Sequence, residues 1–361
     1  MSKEDNLLMS HLDLKGKRIF VTGHTGFTGS WASIWLSLIG SEVCGYSLEP
    51  ETIPNLFTEA KVGSIVKGTF SDIRDFDKLT SAILDFQPDL ILHLAAQPLV
   101  RRGYKTPRET FDINAQGTAN VIEAARLTPS VKGVLCITTD KVYKNLELDY
   151  DYVESDELGG KDPYSASKAA AELIIQGYRD SIRSQGHELP IISVARGGNI
   201  VGGGDWSEDR LIPDYIRAYE SGNQLAIRYP NSTRPWQHVL SLIDGYLQIL
   251  SGMVGNSPQI FDRAFNLGPI DSNQVYVAQV LDLISKSLPG VEIVSEKADL
   301  PEAGKLGLNS QLAKETFGWN PKWTTQEVLE KTAFWYSSFL ADKESAYDLC
   351  VTQIADFDSA E

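Results

Sequence analysis

The sequence feature that most constrains the fold is a set of three closely spaced glycines near the N-terminus. The motif Gly23-His-Thr-Gly26-Phe-Thr-Gly29 directly follows an apolar run at 17–22 and precedes apolar residues at helical spacing in 31–39. Glycines let a backbone turn tightly, and the next helix begins with free N–H groups and the positive end of its dipole. The motif predicts a strand–turn–helix unit that approaches a pyrophosphate, with a tight turn for close helix packing as the alternative.

Beyond this motif, short apolar runs alternate with segments whose apolar residues recur at helical spacing. Further predicted strands cover 42–46, 90–95, 131–138 and 191–195. Further predicted helices cover 79–86, 118–126 and 164–183. Such alternation indicates βαβ units and a parallel sheet with helices on both faces. The predicted fold class is therefore α/β, a Rossmann-type doubly wound parallel sheet in residues 1–195 with a returning segment near 236–266.

The alternation ends after Arg196, where five glycines fall within residues 197–205. Short helical and strand patterns then mix as far as residue 336. This predicts a smaller mixed α/β C-terminal lobe, formed by 196–235 and 267–345, that binds the substrate. The last segment, 346–361, is acidic and is expected to fray as a tail.

The charge balance limits the partners of the chain. Its 33 basic and 48 acidic residues give a formal net charge of −15. Such a protein repels nucleic acid and anionic membrane surfaces, so an anionic small-molecule substrate is expected to depend on a few placed arginines. The three cysteines match neither a disulfide framework nor a metal site, and no apolar run is long enough for a membrane span. We therefore expect a cytoplasmic protein without a metal.

Two groups of residues are spaced for acid–base chemistry. Tyr164 and Lys168 are four residues apart in a predicted helix and share one face. A neighbouring ammonium would lower the phenol pKa from about 10, and such a tyrosine can accept a hydroxyl proton while hydride leaves the same carbon. Thr139, Asp140 and Lys141 follow a buried strand, at the edge where doubly wound sheets bind ligands. A solvated helix face and an ordinary cap or turn are the alternatives.

Taken together, these motifs resemble the extended short-chain dehydrogenase/reductases, over nearly the whole chain. Within that family, the Thr139-Asp140-Lys141 run, the loop around His24 and the stretch RPWQH at 234–238 are similar to the sugar-nucleotide 4,6-dehydratases that act on CDP-glucose. The resembling segments are residues 23–29, 72–73, 93–96, 114, 139, 164–168, 196–199 and 265–268.

The resemblance implies a lyase that uses NAD to oxidise CDP-glucose at C4, removes water across C5–C6 and returns hydride to C6. Tyr164 would accept the 4-OH proton, and Asp140 would protonate the leaving hydroxyl. Lys141 would be either the C5 base or a charged group that stabilises the enolate. A sugar-nucleotide 4-epimerase and a 4,6-dehydratase for another nucleotide hexose are the alternative functions. The helices at 114–126 and 164–183 match those that pair subunits in the family, which implies a homodimer or homotetramer.

The resemblance also assigns individual residues to roles. The implied catalytic residues are Thr139, Asp140, Lys141, Tyr164 and Lys168. The implied NAD-binding residues are Gly23, His24, Thr25, Gly26, Phe27, Thr28, Gly29, Ser47, Asp72, Ile73, Leu94, Ala95, Ala96, Tyr164 and Lys168. The implied substrate-binding residues are Gln97, Asn114, Asn199, Arg210, Arg234 and Asn266.

Two of these assignments carry qualifications. Arg234 and Arg210 are the candidate diphosphate ligands, because a guanidinium matches phosphate oxygens, with a surface ion pair as the alternative for Arg210. Ser47 stands where many relatives place an aspartate that binds the adenosine ribose. Serine is a weaker, uncharged partner, so NAD is expected to bind loosely and NADP is not excluded by charge.

Overall fold

The computed structural model describes residues 10–147, 149–186, 189–227, 233–234, 236–269, 275–296 and 306–360. The side chains of 185, 233 and 234 lie outside this description, so the predicted diphosphate ligand Arg234 is placed only by its backbone.

A seven-stranded parallel sheet forms the centre of the fold, which confirms the predicted fold class. Its strand order is β12-β7-β5-β4-β1-β2-β3. The seven strands are β1 Arg18–Thr22, β2 Glu42–Ser47, β3 Lys67–Phe70, β4 Leu90–His93, β5 Gly133–Ile137, β7 Ile191–Gly197 and β12 Ala264–Leu267. The order reverses between β1 and β4, which is the position where doubly wound sheets open a crevice at their carboxyl edge.

Helices cover both faces of the sheet. The thirteen α-helices among the described residues are α1 Phe27–Ile39, α2 Leu56–Glu59, α3 Phe76–Phe86, α4 Val100–Lys105, α5 Pro107–Phe111, α6 Gly117–Arg126, α7 Pro163–Gly177, α8 Leu211–Ser221, α9 Val239–Met253, α10 Val277–Ser287, α11 Gln311–Phe317, α12 Thr325–Ala341 and α13 Ala346–Ser359. Alternate strand residues divide between the faces, since Ile19 and Val21 pack with α1 and α9 whereas Phe20 packs with α3, α6 and α7.

Short strand pairs lie outside the main sheet. They are β6 Asp151–Tyr152 with β15 Gly307–Leu308, β8 Asn199–Val201 with β11 Trp236–His238, β9 Leu225–Ile227 with β14 Ile293–Ser295, and β10 Thr233–Arg234 with β13 Val275–Tyr276. Between these pairs the chain returns to the main sheet, because α9 packs against β5 and β7 and β12 extends the sheet beside β7.

The expectation that the C-terminal segment frays is wrong for its described part. Residues 346–359 form α13, whose Ala346, Cys350, Ile354 and Phe357 are buried. These residues recur on one helix face and pack in the same apolar cluster as α1. The acidic side chains lie at other positions of the helix, so they do not prevent this packing. Among the described helices, none has both the length and the apolar character that crossing a membrane needs.

Candidate active site

An elongated cleft of about 800 Å³ runs along the carboxyl edge of the sheet. Its volume lies within the range of small-molecule sites. Most of the predicted site residues line it, from both sides of the point where the strand order reverses. They are Gly23, Thr25, Gly26, Phe27, Thr28, Gly29, Ser47, Asp72, Ile73, Leu94, Ala95, Ala96, Gln97, Thr139, Lys141, Tyr164, Lys168, Asn199 and Arg210.

The glycine-rich loop between β1 and α1 has a conformation that larger residues would not permit. Gly23 has a positive φ of 78°, and a Cβ there would lie 2.7 Å from the backbone nitrogen of Ala95. A Cβ at Gly29 would lie 2.0 Å from the carbonyl oxygen of Gly23. Gly26 caps α1, so the first N–H groups of this helix face the cleft where an anion can bind.

His24 lies behind this loop instead of in the cleft. Its ring is buried against Phe57 and Phe70, and Nδ1 is 2.8 Å from Ser47 Oγ. Burial lowers the pKa of His24 from 6.5 to about 4, so the ring is neutral at physiological pH. The prediction that His24 binds NAD stays a prediction, and its side chain does not line the cleft. It instead orients Ser47, whose hydroxyl is also 3.0 Å from Thr25 Oγ1.

Asp72 has a charged partner that the sequence did not indicate. Its carboxylate accepts hydrogen bonds from Arg74, with Nε to Oδ2 at 3.0 Å and Nη2 to Oδ2 at 2.6 Å. Burial by itself would raise the pKa of Asp72, but the hydrogen bonds and charge of Arg74 outweigh it and the pKa is lowered. The group that this loop offers to the cleft is thus an ionised carboxylate held by a guanidinium.

Three polar side chains converge where β5 ends. Thr139 Oγ1 donates to Asp140 Oδ1 at 2.9 Å, and Lys141 Nζ lies 3.9 Å from the same oxygen. Asp140 is only 3% exposed, whereas Thr139 and Lys141 line the cleft. Tyr164 on α7 completes the group through a hydrogen bond with Thr139. The Thr139 hydroxyl thus connects the phenol of Tyr164 with the carboxyl group of Asp140.

The predicted effect of Lys168 on Tyr164 is wrong for the free protein. Burial raises the pKa of Tyr164 to about 12, and the hydrogen bond with Thr139 only partly opposes this. Lys168 Nζ instead donates to the carbonyl oxygen of Ile137 at 3.0 Å. Desolvation lowers the pKa of Lys168 from 10.5 to about 8. The spacing does bring both residues to the cleft, but burial dominates both pKa values.

Two predicted substrate ligands have other partners. Asn114 Nδ2 donates to the Gln97 carbonyl at 3.0 Å and to Ser167 Oγ at 2.9 Å, while its Oδ1 accepts from the Gln97 amide at 2.8 Å. Asn266 is fully buried, donates to the Tyr152 carbonyl and accepts from Tyr143. The prediction that these side chains bind substrate is not supported, because their hydrogen-bonding groups fix neighbouring segments of the chain.

The sequence analysis missed several residues of the cleft, among them Arg101 and Tyr246. Arg101, on α4, lines the cleft and is 3.6 Å from Asp209, much as the predicted Arg210 is 3.7 Å from Asp205. Tyr246, on α9, also lines the cleft, and its buried hydroxyl has no hydrogen-bond partner among the described residues. The two adjacent arginines at 101–102 could have indicated Arg101 as an anion ligand. Tyr246 lies on a helix that is distant in sequence and carries no motif, so the sequence does not indicate it.

Comparisons with known proteins indicate a 4,6-dehydratase family, as the motifs of the sequence do. Residues 20–332 match the family model described as GDP-mannose 4,6 dehydratase. The chain belongs to the GDP-mannose 4,6 dehydratase family. One relative of the chain is the CDP-glucose 4,6-dehydratase of Salmonella typhimurium, which is 38% identical over 336 residues that cover 91% of this chain and 93% of that protein. The human dTDP-D-glucose 4,6-dehydratase is 24% identical over 335 residues, covering 89% of this chain and 90% of that protein.

Solved structures share the fold of this 4,6-dehydratase family member. The dTDP-glucose 4,6-dehydratase DesIV of Streptomyces venezuelae, solved with NAD and TYD bound, has a TM-score of 0.74 at 22% identity and covers 92% of this chain and 99% of that chain. The UDP-glucose 4-epimerase of Thermotoga maritima, solved with UDP-glucose, has a TM-score of 0.76 at 20% identity and covers 90% of this chain and 99% of that chain. At these identities the likeness concerns the fold, which dehydratases and epimerases share.

Proposed function

We propose that the protein is an NAD-dependent CDP-glucose 4,6-dehydratase, which forms CDP-4-keto-6-deoxyglucose and water. The observation that carries the proposal is the presence of Thr139, Asp140 and Lys141 beside Tyr164 in a chain 38% identical to the Salmonella CDP-glucose 4,6-dehydratase. An epimerase needs no acid for a leaving hydroxyl, so Asp140 favours the dehydratase over the epimerase with the same fold.

The cleft fits NAD in ways that can be read from the chain itself. The glycines at 23 and 29 leave backbone space that a Cβ would fill, and the N-terminus of α1 offers N–H groups to a pyrophosphate. Ser47 ends β2 and Asp72 follows β3, on one side of the point where the strand order reverses, which supports a role for them at the adenosine. Tyr164 and Lys168 lie near the end of β5, on the other side, which supports a role for them at the nicotinamide. When bound, NAD supplies the acceptor that takes hydride from C4 and later returns it to C6.

The residues at the end of β5 then move the protons. Tyr164 accepts the proton of the 4-OH as a phenolate, which requires the complex to lower the pKa of about 12 that this group has in the free protein. Thr139, which shares a hydrogen bond with Tyr164, holds the C4 oxygen. The resulting 4-keto group acidifies the C5 proton, and Asp140 protonates the 6-OH as it leaves as water. Lys141, whose Nζ lies 3.9 Å from Asp140 Oδ1, either stays charged and stabilises the negative charge that develops between C4 and C5, or accepts the C5 proton as a neutral amine. A proton returns to C5 when hydride reaches C6.

The remaining parts of the proposal concern the diphosphate, the assembly and the compartment. Arg210 and Arg101 both line the cleft, and each forms a long ion pair with an aspartate, at 3.7 Å and 3.6 Å respectively. A substrate diphosphate can replace these carboxylates as the partner of the two guanidinium groups. A homodimer or homotetramer through α6 and α7 is supported by Leu127 and Leu173, which are 45% and 58% exposed in the single chain. We expect the protein to act in the cytoplasm, in the biosynthesis of deoxysugars, including those of lipopolysaccharide O-antigen.

The function is tested by incubating the protein and NAD+ separately with CDP-, dTDP-, UDP- and GDP-hexoses. Keto sugar is expected with CDP-glucose, detected by the absorbance of the alkaline-treated product. Equal or faster turnover of dTDP-glucose would contradict the choice of nucleotide. Formation of the 4-epimer without keto sugar would identify the epimerase instead.

A further inference from the structure

One buried ion pair contacts both ends of the loop that carries Thr139, Asp140 and Lys141. The pair joins Arg196 of β7 to Glu172 of α7, and both side chains are only 2% exposed. Arg196 Nε donates to each carboxylate oxygen of Glu172 at 3.0 Å. Such a two-pronged contact fixes the orientation of both groups.

The carboxylate of Glu172 binds the first end of the loop, and the guanidinium of Arg196 binds the second end. Thr138 Oγ1 donates to Glu172 Oε1 at 2.6 Å. Arg196 Nη1 donates to the Tyr143 hydroxyl at 2.6 Å, and its guanidinium carbon lies 4.8 Å from the centroid of that ring. Residues 138 and 143 therefore flank the three proton-transfer residues and are both bonded to the same pair.

The same pair connects this loop to the helix of the phenol. Glu172 follows Tyr164 by eight residues and Lys168 by four within α7, so the three side chains share one helix face. Lys168 adds a further connection, because its ammonium bonds the carbonyl of Ile137 at the end of β5. The relative position of Tyr164 and the loop is thus determined by the buried ion pair together with Lys168.

We propose that the Arg196–Glu172 pair, acting through Thr138 and Tyr143, positions Thr139 and Asp140 relative to Tyr164 for catalysis. The inference rests on the function proposed above. A buried ion pair is seldom more stabilising than apolar residues of the same volume. Directional hydrogen bonds to two ends of one loop are what apolar residues could not provide. The four residues are positioning residues, since none of them needs to touch the reacting atoms.

The loop ends are the groups to test, because the pair itself cannot be broken safely. Glu172→Gln would leave the buried charge of Arg196 without its counterion, and the protein could then fail to fold. Thr138→Val and Tyr143→Phe each remove one hydroxyl while the ion pair remains. Tyr152→Phe is the matched control, since its ring stacks on Tyr143 with centroids 5.0 Å apart while its hydroxyl accepts from the Leu146 amide.

The experiment measures kcat and KM for CDP-glucose and the Kd for NAD+, below the melting transition recorded for each variant. Each single variant is expected to lose about tenfold to a hundredfold in kcat, the scale of an ångström-sized misplacement, with KM and Kd unchanged. The double variant should lose little more, because a loop freed at one end has already lost its position. The control should keep the kcat of the wild type.

The outcomes separate this inference from the proposed function. Wild-type kcat in both single variants, or an equal loss in Tyr152→Phe, would overturn the positioning role. A loss that multiplies in the double variant and follows its melting temperature would show a merely structural role and overturn it as well. A wild-type protein that converts no sugar nucleotide contradicts the proposed function, and with it the role of the pair.

Discussion

Replacing Lys168 by methionine is expected to stabilise the free protein at neutral pH while abolishing its activity. Lys168 is 7% exposed, and its ammonium has one hydrogen bond, to the Ile137 carbonyl. Desolvation lowers its pKa from 10.5 to about 8, against smaller opposing effects of Cys136 and Glu172. At pH 7 the group is therefore charged in both the folded and the unfolded chain, and the folded chain bears the free-energy cost of burying the charge.

The size of the effect follows from the pKa. The difference between 10.5 and about 8 corresponds to about 3 kcal/mol, at about 1.4 kcal/mol for each pKa unit. Methionine has a similar length and no charge, so it removes this cost but also removes a hydrogen bond worth about 1 kcal/mol. The variant should be more stable by about 2 kcal/mol at pH 7.

The pH dependence gives the sign of the effect a second test. Here the folded-state pKa of a lysine lies below the unfolded value. The cost is fully present below about pH 8 and shrinks as the folded protein releases the proton, until it is gone near pH 10.5. The stability advantage of Lys168→Met should therefore be large at pH 7 and lost by about pH 10.5.

Guanidinium unfolding of the nucleotide-free protein, followed by tryptophan fluorescence at several pH values, measures this difference. Lys67→Met is the matched control, since Lys67 lies exposed on β3 and its replacement should show no advantage that depends on pH. Equal stability of Lys168→Met and wild type at pH 7 would refute the reasoning. So would an advantage that persists unchanged at high pH, because it could not then arise from the buried charge.

Four further variants test the cleft. Ser47→Asp should tighten NAD+ binding and weaken NADP+ binding by adding a charge that repels the 2′-phosphate; isothermal titration that finds both Kd values unchanged would count against the placement of Ser47. Tyr164→Phe should prevent the nicotinamide absorbance change on mixing with CDP-glucose, whereas Asp140→Asn should keep it and slow elimination by about 10²–10⁴-fold, measured by wash-out of C5 deuterium. Tyr246→Phe should leave the melting temperature of the free protein unchanged or raised, because its hydroxyl has no partner among the described residues; a large drop would reveal one.

The parts of the fold that could be predicted depend on residues close in sequence. The strand, glycines and helix at 18–39 are signalled by adjacent residues, and the predicted unit is confirmed. The helix α13 was readable too, since Ala346, Cys350, Ile354 and Phe357 recur at helical spacing. The acidic composition of the segment predicts a frayed tail, whereas the spacing of its apolar residues predicts the helix that is present.

The site could be predicted less completely, because its contacts are non-local. Tyr164 and Lys168 reach the cleft as their spacing indicates, but no spacing shows how deeply a phenol is buried, and burial decides its pKa. Asn114 looked like a ligand until its partners, Gln97 and Ser167, were placed around it. The bond between Arg196 and Glu172 joins residues on different elements, and the resembling segment 196–199 does not indicate which residue Arg196 pairs with.

The preference for NAD over NADP depends on the charges of several residues near position 47, as well as on residue 47 itself. Position 47 is uncharged, but Glu49 and Glu51 in the loop that follows also line the cleft, and His24 beneath it is neutral because its pKa is about 4. The arginine nearest to Asp72, Arg74, is paired with that carboxylate. A 2′-phosphate entering this end would therefore meet carboxylates and no uncompensated cation among these residues. We accordingly expect NAD to be preferred even with serine at 47, so that Ser47→Asp changes the preference in the stated direction but only modestly.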